Sequence, residues 1–375
     1  MNRGFYLTLM MGSFTASPVP EAVIDALTDI QVTSSMGSQG GFQLKFTLGK
    51  TSTLQQMLAA GFFDPRTRVI IAVTVNGSTS VLMDGIITKQ DVTPNIAAGK
   101  STLTVTGLDL TALMDFIDLT GIPYPVIPLF VIVELILAKY AVLGVVPMAL
   151  PTLLSLVSNP LAQSPKQFGT DYAYVNSLAS EVGAVFYLDP GPQPGQSTAY
   201  WGPDITTLFG GTQSALSINM DANTNVDSLS FSYDGTLATQ YLVTIIEPNT
   251  GIPIPIPVPN IDLLKPTLAQ TQATPLKTQQ LTPLSGEDPI KAALIALGKL
   301  MTSSEAITAS GELDVLRYGQ VFKVRQRAGV RGAGQYYDGQ YYVKSVTHTI
   351  KRGQYKQSFT LARGGVGSSV STVSV

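Results

Sequence analysis

The chain reads as a mainly β protein with helical insertions, and three observations carry that reading. Apolar residues recur at every second position over short runs, glycine-containing turn pairs punctuate those runs, and only a few stretches hold a helical period. With 375 residues, 45% of them hydrophobic and only 13% charged, the chain can bury a large core in two or more domains.

Phe42, Leu44, Phe46 and Leu48 alternate with polar residues, as do Leu103 and Val105, while residues 69–75 form a β-branched run. Asn76-Gly77 and Asp84-Gly85 predict tight hairpin turns, and Leu54, Met57 and Leu58 before Gly61 predict one short helix. Residues 1–115 therefore read as an antiparallel barrel or sandwich with one helical excursion. Gly37, Gly40 and Gly41 precede a strand with no helix after it, so they read as a flexible loop and not a phosphate cradle.

Residues 116–214 read as a helical and small αβ connecting region. Pro128 can open a helix at Leu129, and Gly144 with Pro147 can end it. A second helix starts at Thr170 or Asp171 and is expected to bury Tyr172, Val175, Leu178, Ala179 and Val182 before Gly183 ends it. A strand over 184–188 then turns at Asp189-Pro190-Gly191-Pro192 and Pro194-Gly195 into Ala199-Tyr200-Trp201.

A strand-like run over 227–246 holds Leu229, Phe231 and Tyr233, and the last domain, residues 311–364, reads as β again. Between them, residues 248–310 change character. There Pro253, Pro255, Pro257 and Pro259 predict an extended segment, either a polyproline arm or a strand on a sheet edge; residues 265–286 read as a linker, and Pro289 opens a helix through Leu300. In the C-terminal part, Arg317-Tyr318-Gly319-Gln320 precedes a predicted strand over 321–325, and two strands, 341–350 and 354–361, join at Lys351-Arg352-Gly353. Residues 365–375, rich in Gly, Ser and Val, read as a flexible tail.

Composition excludes much chemistry. No cysteine means no disulfide, thiol nucleophile or thiolate metal site, and the single histidine, His348, rules out a two-histidine metal site. His348 lies mid-strand with no nucleophile motif in the chain, so it reads as a strand residue rather than a base. The carboxylate pairs Asp109 with Asp115 and Glu287 with Asp288 read as turn and helix-start residues, and the stretch from Asp221 to Asp227 lacks a calcium-loop layout. No catalytic, cofactor or metal site is predicted.

A net charge of −2 hides an asymmetry. Residues 312–363 carry ten Lys or Arg against three acids, a balance of +7 that leaves −9 elsewhere. Such poles suit head-to-tail contact between copies, docking on an acidic partner, or nucleic acid, beside the plainer reading of a solvated strand face. Tyr336, Tyr337, Tyr341 and Tyr342 interleave with the basic residues, yet a pI near 5.5 disfavours a polyanion as a specific ligand. No secretory signal opens the chain, and the apolar residues 129–146 approach bilayer length but carry Glu134 and Lys139, so a buried helix is expected there and no stable membrane insertion.

Four blocks in this order and spacing resemble the central hub of contractile tails, the phage late-control protein D and VgrG family. They are residues 41–50 (GFQLKFTLGK), residues 136–141 with Gly144-Val145-Val146-Pro147, residues 170–203, and residues 311–363. The resemblance implies two tandem β-barrels per subunit, residues 1–115 and residues 215–247 with 311–364, residues 248–310 being an insertion between the halves of the second. With them it implies a homotrimer and a structural role adapting a threefold spike to a sixfold inner tube, with no enzymatic activity. It implies partners in a spike, an inner tube and other baseplate proteins, and assembly of a cytoplasmically made chain into a phage tail or phage-like particle. The pattern of a fused spike does not continue beyond Arg363, so a separate spike polypeptide is expected. Arg325, Arg327 and Arg331 are the expected charged assembly contacts. A cell-envelope hydrolase at a tail tip and a nucleic-acid module are the competing readings.

Overall fold

The computed structural model describes residues 4–95, 100–152, 165–203, 211–246, 253–257, 268–281 and 305–369. In chain order the first part holds β1 (Phe5–Gly12), β2 (Ser17–Pro18), α1 (Glu21–Ala26), β3 (Leu27–Ser35), β4 (Gly41–Leu48), α2 (Thr53–Ala59), β5 (Arg68–Val75), β6 (Ser78–Asn95) and β7 (Lys100–Asp109). A connecting region follows with α3 (Leu129–Ala138), β8 (Val145–Ala149), α4 (Asp171–Glu181), β9 (Ala184–Pro190) and β10 (Ser197–Pro203). The remainder comprises β11 (Thr212–Ser217), β12 (Ser228–Tyr233), β13 (Thr239–Ile246), β14 (Pro253–Pro257), β15 (Ala269–Gln272), β16 (Lys277–Leu281), β17 (Ile307–Asp314), α5 (Val315–Tyr318), β18 (Arg327–Arg331), β19 (Gly339–Lys351), β20 (Gln354–Arg363) and β21 (Gly365–Ser368).

Two six-stranded β units share one strand order. The first runs β1-β5-β6-β7-β4-β3 and the second β11-β18-β19-β20-β17-β12, so strands made first, second, third, fourth, fifth and sixth along the chain occupy the same places in each. A short helix sits between the third and fourth strand both times, α2 in one unit and α5 in the other. All neighbouring pairs correspond in sense except the first, since β1 is antiparallel to β5 while β11 is parallel to β18. A bulge falls at the same point, between Ile87 and Lys89 in one and between Val343 and Ser345 in the other. The bulges align the units residue by residue: the row Val32, Phe42, Gly107, Ile87 corresponds to Phe231, Ala309, Leu361, Val343.

The units are not separate modules. β3 of the first pairs antiparallel with β19 of the second, from Asp29 opposite Lys351 to Ser35 opposite Ser345, which fuses both into one 13-stranded sheet. Alternating side chains from both units fill a common core, with Phe46, Phe63, Ile30 and Leu44 beside Tyr341, Tyr355, Phe322 and Leu361.

The connecting region has its own core. Ile132, Val133, Ile136 and Leu137 of α3 pack with Val175 and Leu178 of α4 and with Trp201, whose indole N–H donates to the Val175 carbonyl at 3.3 Å. Glu134 lies on the exposed side of α3, and Lys139, the residue that ends it, is exposed and pairs with Asp171 at 2.7 Å, which is how so apolar a segment carries two charges. Among the described residues no helix is long and apolar enough to cross a membrane.

Several expectations need correction. Asp84-Gly85 lies inside β6, because Asp84 is buried against Arg68 and a side chain at 85 would meet the Leu108 carbonyl at 2.1 Å. Residues 321–325 form no strand: Arg325 takes a φ of 63°, and the strand begins at Arg327. The expected linker contains β15 and β16, and the expected tail contains β21, held by pairing with β15. On α4, Tyr174 is buried in place of Tyr172. Of the two options for the proline run, β14 takes the sheet edge, pairing with β13. The helix expected at Pro289 lies outside the described residues.

Candidate assembly interface

Three elements meet around Arg325. Its Nη2 donates to the Ser35 carbonyl at 3.0 Å, its guanidinium lies 3.9 Å above the Tyr187 ring, and Asp189 stands 3.6 Å from Nη1. The loop before β18 is thereby tied to the end of β3 and to β9 of the connecting region. With its side chain only 11% exposed, Arg325 is committed within the chain and is a poor candidate for the contact expected of it.

Arg331 donates from Nε to Ser217 Oγ at 2.8 Å, bracing β18 against β11. Arg327 starts β18 half-buried, and its backbone N–H donates to the Gly211 carbonyl at 3.3 Å. The three arginines lie on or just before β18, which is flanked by β11 and β19, and do not converge on one patch of free charge.

Much of the basic excess is spent inside the chain. Lys344 pairs with Glu305 at 2.7 Å, Lys356 bridges Glu312 at 2.6 Å and Asp227 at 3.2 Å, and Arg317 also reaches Asp227. Arg363 is fully buried, donates to the carbonyls of Asp338 at 2.9 Å and Tyr336 at 2.7 Å, and lies 4.4 Å above the Tyr341 ring. Two acids that neutralise this segment, Asp227 and Glu305, come from outside it, so the +7 overstates what solvent meets. Tyr341 and Tyr342 are buried and Tyr337 stacks on Phe231 at 4.7 Å, which leaves Tyr336 alone among the four tyrosines open to solvent. A base-stacking platform needs several.

The other chemical candidates resolve as framework. His348 is buried; its Nδ1 accepts from the Tyr355 hydroxyl at 2.8 Å and from Gln357 Nε2 at 3.2 Å, which places its proton on Nε2. Burial pulls its pKa down to about 3, so the ring stays neutral. Asp109 accepts from the N–H of Gly40 at 2.6 Å and of Thr111 at 3.0 Å and caps a short helical turn, with burial raising its pKa against those bonds. Asp115 accepts from Thr170 Oγ1 at 2.5 Å. Glu287 and Asp288 lie outside the described residues. Among the described residues no group of three or more His, Asp or Glu could hold a metal.

Two open sheet edges belong to matching places in the two units. The C-terminal half of β6, beyond Ile87, pairs with β7 on one side, and no described strand pairs with its other edge. β12 pairs only with β17 among the described strands. Both edges expose apolar residues that face the core side of the sheet: Val92, 46% exposed, lies opposite the buried Leu103, and half-buried Phe231 lies opposite Ala309.

No protein-family model matches the chain, and no curated protein matches it in sequence. In structure it is similar to the tail protein from Neisseria meningitidis MC58, with 12% identity and a TM-score of 0.62 over 97% of this chain and 98% of that one. It is similar as well to the 43 kDa tail protein of prophage MuSo2 from Shewanella oneidensis, with 13% identity and a TM-score of 0.62 over 96% and 98% of the two chains. A chain of the Francisella PdpA-VgrG complex matches all of this chain but only 55% of its own length, with 8% identity and a TM-score of 0.62. At these identities the likeness is one of fold, and the fold is that of these tail proteins.

Proposed function

We propose that the chain is a structural baseplate hub of a contractile tail or contractile injection system, acting as a homotrimer that adapts a threefold spike to a sixfold inner tube. The observation that carries this reading is the doubled β unit: one chain presents two like surfaces, so three chains in a ring present six. The fold likeness to tail proteins over nearly the whole length of both chains supports it. A hub of this kind makes and breaks no bonds. Its partners are further copies of itself, a spike component, the inner tube and other baseplate proteins, and it resides in the assembled particle. Arg327 and Arg331, on β18 next to the outer strand β11, remain the proposed charged contacts, while Arg325 serves the internal junction.

Negative-stain imaging of the purified chain tests the reading. Class averages should show a closed ring with six similar lobes; compact particles with two lobes would contradict it.

A further inference from the structure

The chain contains its own template for the joint between copies. β3 ends the first unit and is covered by β19 of the second, while its counterpart β12 ends the second unit and meets no described strand on that side. The counterpart of β19 is β6, whose residues 89–95 correspond to 345–351, the stretch that β3 occupies. Each open edge therefore matches one half of a joint that the chain already makes internally.

Resting on the proposed ring, we infer that β12 of one copy adds antiparallel to the free edge of β6 in the next, in the register of β3 on β19. That register sets Phe231 opposite Val92, as Val32 stands opposite His348, and Ser232 opposite Asp91, as Thr33 stands opposite Thr347. The side chains suit these places. Val92 and Phe231 would cover each other's exposed apolar surface on the core side, and the Ser232 hydroxyl would donate to the Asp91 carboxylate where Thr33 and Thr347 now share a hydrogen bond at 3.0 Å.

Charge supports the same pairing. Arg66 is the counterpart of Arg325: its N–H donates to the Ile87 carbonyl at 2.8 Å as that of Arg325 does to Val343 at 3.0 Å, and both have positive φ, 75° and 63°. Arg325 reaches across the internal joint to the Ser35 carbonyl, and the counterpart of Ser35 is Asp234. Arg66 is exposed, and the Asp234 carboxyl is held below the usual range by bonds from the Thr236 hydroxyl and N–H, so an exposed cation would meet an anion across the joint.

Mixed single-cysteine variants test this, because the chain has no cysteine of its own. Asp91→Cys and Ser232→Cys, both at exposed positions, should give a disulfide-linked dimer under oxidation when mixed, and neither should do so alone. Ser230→Cys mixed with Asp91→Cys, two residues out of register, should link far less. Arg66→Glu should weaken association at least tenfold, and Asp234→Arg should restore it in the double variant. A trimer by mass that gives no mixed cross-link and no charge-swap rescue overturns this joint while leaving the hub reading in place. Cross-linked open chains without a trimer support the joint and overturn the threefold ring. A monomer at all concentrations overturns both.

Discussion

Arg68 and Asp84 close on each other inside the sheet, Nε to Oδ1 at 2.8 Å and Nη2 to Oδ2 at 2.7 Å, and the same Nη2 donates to the Leu143 carbonyl at 2.7 Å. One buried fork thus holds β5 to β6 and both to the turn that follows α3. Burial raises the Asp84 pKa and the guanidinium opposes that rise, so the pair survives only as a pair.

Asp84→Ala should therefore destabilise the protein by about 3–5 kcal/mol, because it strands a buried guanidinium. Replacing both partners together, Arg68→Met with Asp84→Leu, should cost much less. Urea unfolding of the three proteins checks the order.

His348 gives a pH signature with a definite sign. Its folded pKa, about 3, lies below its ordinary value of 6.5, so above 6.5 both folded and unfolded states are neutral there. As pH falls from 6.5 toward 3, the unfolded chain takes up a proton that the folded one refuses, and stability drops by about 1.4 kcal/mol per pH unit. His348→Gln should remove that slope between pH 6 and 4 in thermal melts, whatever it does to stability at neutral pH.

Charge reversal should separate the three arginines. Arg325→Glu breaks the tie among β3, β9 and the loop before β18, and should lower the melting temperature of the chain itself. Reversal at Arg327 and Arg331 should leave folding closer to normal and weaken self-association in a salt-dependent way. Melting curves beside light scattering at two salt concentrations read both effects.

Gly107 is a packing glycine. A Cβ there would lie 2.2 Å from the Ile86 carbonyl oxygen and 2.3 Å from the Phe42 ring, so Gly107→Ala should cost about 1–3 kcal/mol in denaturant unfolding. Its counterpart in the second unit is Leu361, which faces Ala309 where Gly107 faces Phe42. Bulk has moved from one strand to its neighbour.

Such exchanges explain what the sequence could and could not reveal. Local features were legible: the Asn76-Gly77 hairpin, with φ of 49° and 81°, the Thr170 cap, and the turn at Gly353 all follow from residue chemistry over a few positions. Asp84-Gly85 looks the same on paper but serves burial and close approach. β8 was hidden by Pro147, which an edge strand tolerates, and β15 and β16 by Thr and Gln, which pair with partners far along the chain. The joint of β3 with β19 spans some 300 residues, beyond the reach of periodicity. The correspondence of Arg66 with Arg325 and of Asp234 with Ser35 could not be found by comparing residues, since the two units repeat strand order and bulge position but little side-chain identity.

The mass of the purified full chain in solution tests the central claim most directly. Multi-angle light scattering should return three times the 39.8 kDa of one chain, unchanged on dilution through the micromolar range. A mass of one chain, or a dimer related by a twofold axis, would contradict the account.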